Sequence, residues 1–426
     1  MSKSKFNPLI TASVMSAVCL AGVSNVSQAV VLENLVSDNL SSVQAVDTRS
    51  AMSVVPAANS LGQNRYIIQL SGAAIARFEG NAEFGVVPRK SNNKLDVDSA
   101  QAQAYLNHLE TQQSELLDSL SIALGRNVEV IQTYQFAYNG LAIYLSPSEV
   151  ESVEDIAGVQ KVLLDRNYFL STDAGPKLIG ANNLWGVDGV LSSDIIFASG
   201  FEVVVEGNFG AGVVIGTLDT GANFDHPSFA EVGGDGFVHT NPLGAGNFLG
   251  VCDPSNTDQF IATYTCNNKT IGGYDFVNGL EPIDGFDIPG PEDENGHGSH
   301  TASTSGGNML ATAEAVGITG IQVSGVAPHA TVIMFDVCFN DSAGTGLCPG
   351  VSSIASVDQA IADGLVDVIN FSIGGGGSPW TDPVSEAFLN ATASGIFVAT
   401  SAGNAGPGPG TLGHVEPWTS SSGAST

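Results

Sequence analysis

The feature that most constrains the fold is a series of short, uninterrupted apolar runs in the second half of the chain. They cover residues 213–218, 331–336, 368–373 and 396–400. A helical pattern over residues 353–365 separates the second run from the third. Strands buried on both faces of a parallel sheet have continuous apolar sequences, and alternation with helices is typical of a doubly wound sheet. We therefore expect an α/β fold with a mostly parallel sheet over residues 171–426.

Two polar motifs follow this pattern. Asp219 comes directly after the run 213–218, where functional residues collect in such sheets, and Thr220-Gly221 follow it. His297 opens a helix of small residues within the motif Asn-Gly-His-Gly-Ser-His-Thr-Ala. This order predicts that Asp219 is the acid and His297 the general base of an acid–base–nucleophile relay. His300 is predicted to be structural, with its ring filling space on the same helix.

The triplet Asp-Thr-Gly also occurs in aspartic proteases, which need two such carboxylates facing each other. No second Asp-Thr-Gly or Asp-Ser-Gly occurs in the 426 residues. Aspartic chemistry would also leave the histidine motif unexplained.

Residues 64–170 have the pattern of a small α+β unit. Strands are predicted at 66–70, 128–134, 141–145 and 159–164, and helices at 99–124 and from Ser148. Glu151 stands in the capping-box position of the second helix, and Asn139-Gly140 indicates a turn between the middle strands. Strand–helix–strand–strand–helix–strand is the split βαβ order of a ferredoxin-like domain.

The N-terminus resembles an export signal. Lys3 and Lys5 precede an apolar stretch, residues 9–23, and Ser27-Gln28-Ala29 suits signal peptidase. Cys19 follows Val18 rather than a small residue, which favours simple secretion over lipid anchoring. The stretch is short for a membrane span. We expect a signal peptide at 1–29, a polar spacer at 30–63 and an extracellular product with no membrane anchor.

Four cysteines remain after this signal, and three pairings are open to them. We predict the sequence-local pairing, Cys252 with Cys266 and Cys338 with Cys348. Metal ligation is the alternative, although no Cys-x-x-Cys spacing supports it.

The net charge is −30, with only 13 lysines and arginines. Such an acidic chain is unsuited to binding nucleic acid or an anionic membrane surface. We expect a monomer without these partners.

Four motifs in a fixed order carry a family resemblance. They are Asp219-Thr220-Gly221 with Asp225-His226-Pro227, Gly296 to His300, Asn370 to Gly375, and Ser401-Ala402-Gly403-Asn404. Over residues 64–426 the chain resembles subtilisin-like serine protease precursors. Ser299, Thr301 and Ser303 depart from the commonest histidine motif and are similar to larger members with a protease-associated domain inserted before the nucleophile.

The resemblance implies a subtilisin-like catalytic domain at 171–426 and an inhibitory propeptide at 64–170. It assigns an oxyanion role to Asn404, and it assigns substrate binding to Ser372, Ile373, Gly374 and Gly375. Self-cleavage would occur around Leu170-Ser171-Thr172. Protein and peptide substrates are implied, with the propeptide as an intramolecular inhibitor. The chemistry requires no cofactor; the resemblance allows a structural calcium ion without locating it.

The family's nucleophilic serine is missing from the sequence. It follows a glycine and opens a helix of small residues, whereas the nearest approach, Gly423-Ala424-Ser425-Thr426, corresponds to the next strand. Two hypotheses follow. The chain is part of a secreted endopeptidase whose serine lies beyond Thr426, or it is an inert product in which the propeptide acts as a protease-binding inhibitor or chaperone module.

Overall fold

The structure, a computed structural model, describes residues 53–56, 58–170, 208–280, 285–315, 318–406 and 408–423. These residues belong to one compact unit, Met52–Thr426. The predicted signal peptide, most of the predicted spacer, the Ser171-Thr172 bond and residues 424–426 lie outside the described residues.

The strands are, in chain order, β1 (Ser53–Val54), β2 (Asn64–Leu70), β3 (Val130–Tyr134), β4 (Gly140–Leu145), β5 (Val159–Leu164), β6 (Asn167–Phe169), β7 (Val214–Asp219), β8 (Leu249–Gly250), β9 (Thr270–Asp275), β10 (Leu310–Ala315), β11 (Ile318–Val323), β12 (Thr331–Asp336), β13 (Phe339–Asn340), β14 (Gly346–Pro349), β15 (Val368–Phe371), β16 (Phe397–Ser401) and β17 (Ser420–Ser422). The α-helices are α1 (Ala100–Leu124), α2 (Val150–Glu154), α3 (His297–Gly306), α4 (Gly350–Asp363) and α5 (Pro383–Ala393).

The largest sheet is the predicted parallel one. Its strand order is β17-β16-β15-β7-β12-β9-β8, and every neighbouring pair is parallel. All residues of β7 and β12 are buried, which explains their unbroken apolar sequences. The α/β prediction is confirmed.

Two details of this sheet differ from the prediction. β15 ends at Phe371 instead of residue 373, so Ser372 to Gly375 lie beyond the regular strand. β9 was not predicted, because its Gly272 and Gly273 interrupt the apolar pattern. A Cβ at Gly273 would lie 2.7 Å from Cγ of Pro291, so glycine permits the close approach of that loop.

The N-terminal region has the predicted split βαβ order. Its sheet has the strand order β3-β4-β2-β5 with antiparallel neighbours throughout. α1 begins after Ser99, whose side chain accepts a hydrogen bond from the amide of Ala102, and ends at Gly125 with a φ of 62°. Within the described ranges, no helix is both long enough and apolar enough to cross a membrane.

Two local predictions in this region were wrong. The predicted Ser148–Glu151 capping box is absent, because no side chain caps α2; instead the Glu149 carboxylate accepts hydrogen bonds from the amide and hydroxyl of Ser146. The middle strands are joined by residues 135–139, and Gly140 already belongs to β4. A Cβ at Gly140 would overlap the carbonyl oxygen of Ile68 on β2, so this glycine permits close strand contact rather than forming a turn.

A third sheet, β1-β6-β14-β13, joins the two regions. β6 follows the N-terminal region and pairs antiparallel with β14 of the larger region. β1 lies within the segment predicted as spacer and pairs with the other edge of β6. The chain just before residue 171 is therefore held as a central strand.

Both predicted disulfides are present: Cys252–Cys266 and Cys338–Cys348. The second joins the residue just before β13 to β14. It thus fixes the hairpin on which β6 lies.

Candidate active site

Asp219 lies at the carboxyl end of β7 and is fully buried. Its carbonyl oxygen accepts a hydrogen bond from the amide of Val337, which follows the neighbouring strand β12. One carboxylate oxygen accepts the amide of Thr220 at 2.9 Å, and the other accepts the hydroxyl of Thr301 at 3.0 Å. The carboxylate therefore has a fixed orientation.

His297 is the first residue of α3, and its Nδ1 lies 2.6 Å from Oδ1 of Asp219. Because a carboxylate accepts hydrogen bonds, this contact places a hydrogen on Nδ1 and directs Nε2 to act as the base. His297 is 8% exposed, so the pair is largely shielded from water. The structure thus brings together the two residues predicted as acid and base.

The start of α3 is built by its neighbours. Asp293 accepts the amides of Asn295, Gly296 and Ser299, and it also accepts the Thr220 hydroxyl at 2.8 Å. The Ser299 amide belongs to the first turn of α3 and would otherwise lack a partner, while the other two amides lie in the turn that leads into the helix.

Gly298 packs directly on the turn after Asp219. Its amide donates to the Thr220 hydroxyl oxygen, and a Cβ there would overlap the carbonyl oxygen of Gly221. A larger residue would move His297 away from Asp219. His300, predicted to fill space, is exposed instead.

The predicted substrate segment holds the end of the N-terminal region. Leu170 forms an antiparallel bridge with Ile373, and the amide of Gly374 donates to the carbonyl oxygen of Phe169 at 2.6 Å. Since β14 pairs with the opposite edge of β6, Phe169 lies between two stretches of the larger region, whereas residues 167–168 have β1 on the edge away from β14. Extended peptide held by main-chain bonds on both edges is how proteins bind strand-like ligands.

Asn404 lies in the loop that follows β16, with its side chain exposed. In the sheet β16 is separated from β7 by β15, so Asn404 and Asp219 lie at the same carboxyl edge, two strands apart. Residues 372–375 follow β15, so along this edge of the sheet they lie between Asp219 and Asn404.

Residues 210–423 match the family described as "Subtilase family", and residues 65–171 match "Peptidase inhibitor I9". The chain belongs to the subtilase family. The N-terminal region is accordingly an I9-type propeptide domain.

Several curated subtilases are similar to the chain. Subtilisin-like protease SBT1.3 of Arabidopsis thaliana is 33% identical over 338 residues, covering 77% of this chain and 40% of that protein. Subtilisin-like protease SBT1.7 of the same plant is 32% identical, covering 74% and 38%. The chain thus spans about two fifths of the length of these relatives.

Among solved structures, fervidolysin from Fervidobacterium pennivorans, a keratinolytic enzyme related to subtilisin, is 16% identical with a TM-score of 0.38. The match covers 80% of this chain and 40% of that chain.

Sequence reasoning missed two supporting residues of this subtilase site, Thr301 and Asp293. Thr301 lies four residues after His297 and therefore on the same face of α3, which could have suggested its contact with Asp219. Asp293 is an acid just before a helix start, a common capping signal.

Three carboxylates near the site lie close enough to share a cation. Oxygens of Asp275, Asp287 and Asp336 are all within 4.8 Å of one another, and carboxylate oxygens are ligands that calcium prefers. Burial, with the neighbouring charges of Asp287 and Asp275, raises the pKa of Asp336 well above its usual value. Nearby, burial raises the pKa of Glu294 to about 7.

Proposed function

We propose that the chain is the N-terminal part of a secreted serine endopeptidase precursor. Asp219 and His297 would act as acid and base for a serine encoded beyond Thr426. The observation that carries this proposal is the buried pair at the carboxyl edge of the sheet, with 2.6 Å between Nδ1 and Oδ1. The subtilase family of the chain supports the reaction class.

In this mechanism Nε2 of His297 removes the serine proton as the hydroxyl attacks a peptide carbonyl. Asp219 holds the ring and stabilises the imidazolium that forms. The proton then passes to the leaving amine. Asn404 would donate its side-chain amide to the oxyanion, and losing one such donor in an enzyme of this family lowers the rate by about 10²–10³.

The propeptide would inhibit by occupying the substrate cleft. Support comes from Phe169 and Leu170, which contact Gly374 and Ile373 on one edge, while residues 167–169 pair with β14 on the other. Release then requires cleavage in the segment after Leu170. Peptide and protein substrates would take the same extended path, and the product would act as an extracellular monomer.

No cofactor takes part in this chemistry. A structural calcium ion would find its donors in Asp275, Asp287 and Asp336. It would neutralise the negative charge of this cluster, in which Asp336 is buried and the other two acids are half-buried.

The test uses a protein extended beyond Thr426 through the family's nucleophile region. His297→Ala should abolish both self-processing and casein hydrolysis, because no base remains to activate the serine. His300→Ala is the matched control, since His300 lies on the same helix but is exposed, and it should retain activity.

Casein hydrolysis by the His297→Ala protein would refute the proposed base. The 426-residue chain itself gives a second check with a fluorophosphonate probe, which labels activated serines. Stoichiometric labelling that His297→Ala prevents would place the nucleophile within these residues and contradict its position beyond Thr426.

A further inference from the structure

A second histidine–carboxylate pair lies behind the substrate cleft. His414, in the loop between β16 and β17, is 2% exposed and packs against Phe371 and Phe388. Its φ is 45°, a left-handed conformation that is uncommon for a residue other than glycine. Backbone strain of this kind persists where surrounding contacts enforce it, often at functional sites.

His414 contacts residues 372–376, here called the cleft segment. Its Nε2 lies 2.9 Å from the carbonyl oxygen of Ile373, and its amide donates to the carbonyl oxygen of Gly375 at 2.8 Å. The cleft segment lies beyond β15, which ends at Phe371. These hydrogen bonds therefore replace part of the main-chain pairing that a continuing strand would have.

The two edges of the cleft segment have different partners. The Gly374 amide donates to Phe169 of the propeptide, whereas the carbonyl of the preceding residue, Ile373, accepts from His414. Successive residues of an extended chain direct their polar groups to opposite edges. His414 therefore braces the edge that faces away from the bound peptide.

The hydrogen-bond partners determine the charge of His414. Nδ1 lies 3.0 Å from Oε1 of Glu416, an oxygen that also accepts the Ser385 hydroxyl at 2.7 Å. Nε2 faces a carbonyl oxygen, which can only accept. Both ring nitrogens must therefore donate, which describes an imidazolium. Burial would raise the pKa of Glu416, but the hydrogen bond and charge of His414 outweigh it and lower that pKa.

We propose that His414, charged and neutralised by Glu416, is a positioning residue that fixes the cleft segment for pairing with an extended peptide. Its deprotonation removes one donor and leaves a buried carboxylate without its cation, which loosens the pairing. The role in catalysis rests on the proposed endopeptidase function, whereas the pairing with the propeptide does not.

Two other titratable groups lie on elements that pack against the His414–Glu416 pair. Asp382 caps α5 by accepting the amides of Val384 and Ser385, and Tyr168 of β6 donates its hydroxyl to Asp382 at 3.2 Å. Burial raises the pKa of Asp382 and raises that of Tyr168 well above its ordinary value. The variants below keep Asp382 and Tyr168, so any pH dependence that these two groups cause would remain in every variant.

The experiment is hydrogen exchange with mass spectrometry on the full 426-residue chain at pH 5.5 and pH 9, corrected for intrinsic exchange rates. Peptides covering the cleft segment should lose protection by about tenfold or more at pH 9, the scale of losing one hydrogen bond to a charged group. Peptides covering β2 serve as the internal reference and should not change.

Three variants separate positioning from general stability. His414→Gln should lose cleft-segment protection at both pH values. Glu416→Gln should remain protected at both, because a neutral histidine can then accept from the glutamine at Nδ1 while Nε2 still donates to Ile373. His329→Gln removes another histidine–carboxylate pair, with Asp235, far along the chain, and should behave like wild type.

Equal protection of the wild-type cleft segment at both pH values would overturn the proposal. So would a Glu416→Gln variant that keeps the wild-type pH dependence. If His414→Gln fails to fold, the comparison of Glu416→Gln with wild type still decides. Failure of the endopeptidase assay would leave this result standing, since exchange requires no catalysis.

Discussion

At the scale of single residues, the acid–base pair depends on contacts that the sequence motif only partly shows. Asp219 and His297 could be predicted because an apolar strand that ends in an acid, followed along the chain by a glycine-flanked histidine, is typical of a catalytic relay. Thr301 and Asp293 have only general sequence signals, a position one turn after His297 and an acid before a helix start, because their specific roles depend on which carboxylate oxygen faces which donor. That geometry arises only when α3 packs on the end of β7.

Thr301 supplies a prediction. Thr301→Val keeps the shape of the side chain but removes the hydroxyl that donates to Oδ2 of Asp219. Losing a hydrogen bond to a buried carboxylate should lower kcat of the extended protein by about 10- to 100-fold, with KM little changed.

Thr301→Ser is the matched control, since it keeps the hydroxyl, and it should retain most of the activity. Steady-state kinetics on a peptide substrate measure both variants. Equal kcat for Thr301→Val and wild type would show that the Asp219 carboxylate does not need this donor.

At the scale of helices and strands, the sequence predicts an element correctly where burial alone determines it. Prediction fails where a residue far along the chain determines the local structure. The apolar runs of β7 and β12 could be predicted because both strands are buried on the two faces of the sheet. At the start of α2 the acid that accepts hydrogen bonds from a preceding serine is Glu149 rather than the predicted Glu151, and Arg126 holds it by donating to its carboxylate. Arg126 comes 23 residues earlier, so no local pattern shows the choice.

Glu149 therefore gives a pH prediction. The Arg126 hydrogen bond, with the Ser146 donors, outweighs burial and lowers the pKa of Glu149 to about 2. A group with a depressed folded-state pKa stabilises the fold above its unfolded value, about 4.3, and loses this effect as pH falls towards about 2. Glu149→Gln should thus cost about 1–2 kcal/mol at pH 7, and less at pH 3.

Urea unfolding of the full chain at both pH values measures this difference. In an Arg126→Gln background the same substitution should cost less at pH 7, because the main partner is gone. A cost that is the same at pH 7 and pH 3 would show that the carboxylate charge is not the stabilising feature.

At the scale of the whole molecule, charge is the dominant property. The chain has 43 acidic residues against 13 lysines and arginines, so its compact state works against self-repulsion. The sequence shows this excess directly, but not that Asp275, Asp287 and Asp336 converge, because they come from two strands and a loop far apart in the chain.

Salt should therefore stabilise the full chain. Raising NaCl from about 10 mM to about 1 M shortens the screening length from about 30 Å to about 3 Å, and the unfolding temperature should rise by a few degrees. Calcium chloride at matched ionic strength should raise it further if the three carboxylates hold the ion.

Asp336→Asn should remove the calcium increment and keep the NaCl effect, whereas Asp118→Asn, at an exposed acid on α1, should change neither. Differential scanning calorimetry measures both. An unfolding temperature that falls with added NaCl would show that repulsion among the acids does not limit stability.

The last residues of the propeptide, Phe169 and Leu170, lie against the cleft segment and are covalently joined to the domain that contains it. While Phe169 and Leu170 belong to the same polypeptide as the cleft segment, they compete with any other peptide at a fixed local concentration, whatever the amount of protein present. Once the connection after Leu170 is cut, that advantage ends and occupancy depends on how much propeptide surrounds the enzyme. In the proposed endopeptidase, dilution after cleavage would then free the cleft segment without any further change in the fold.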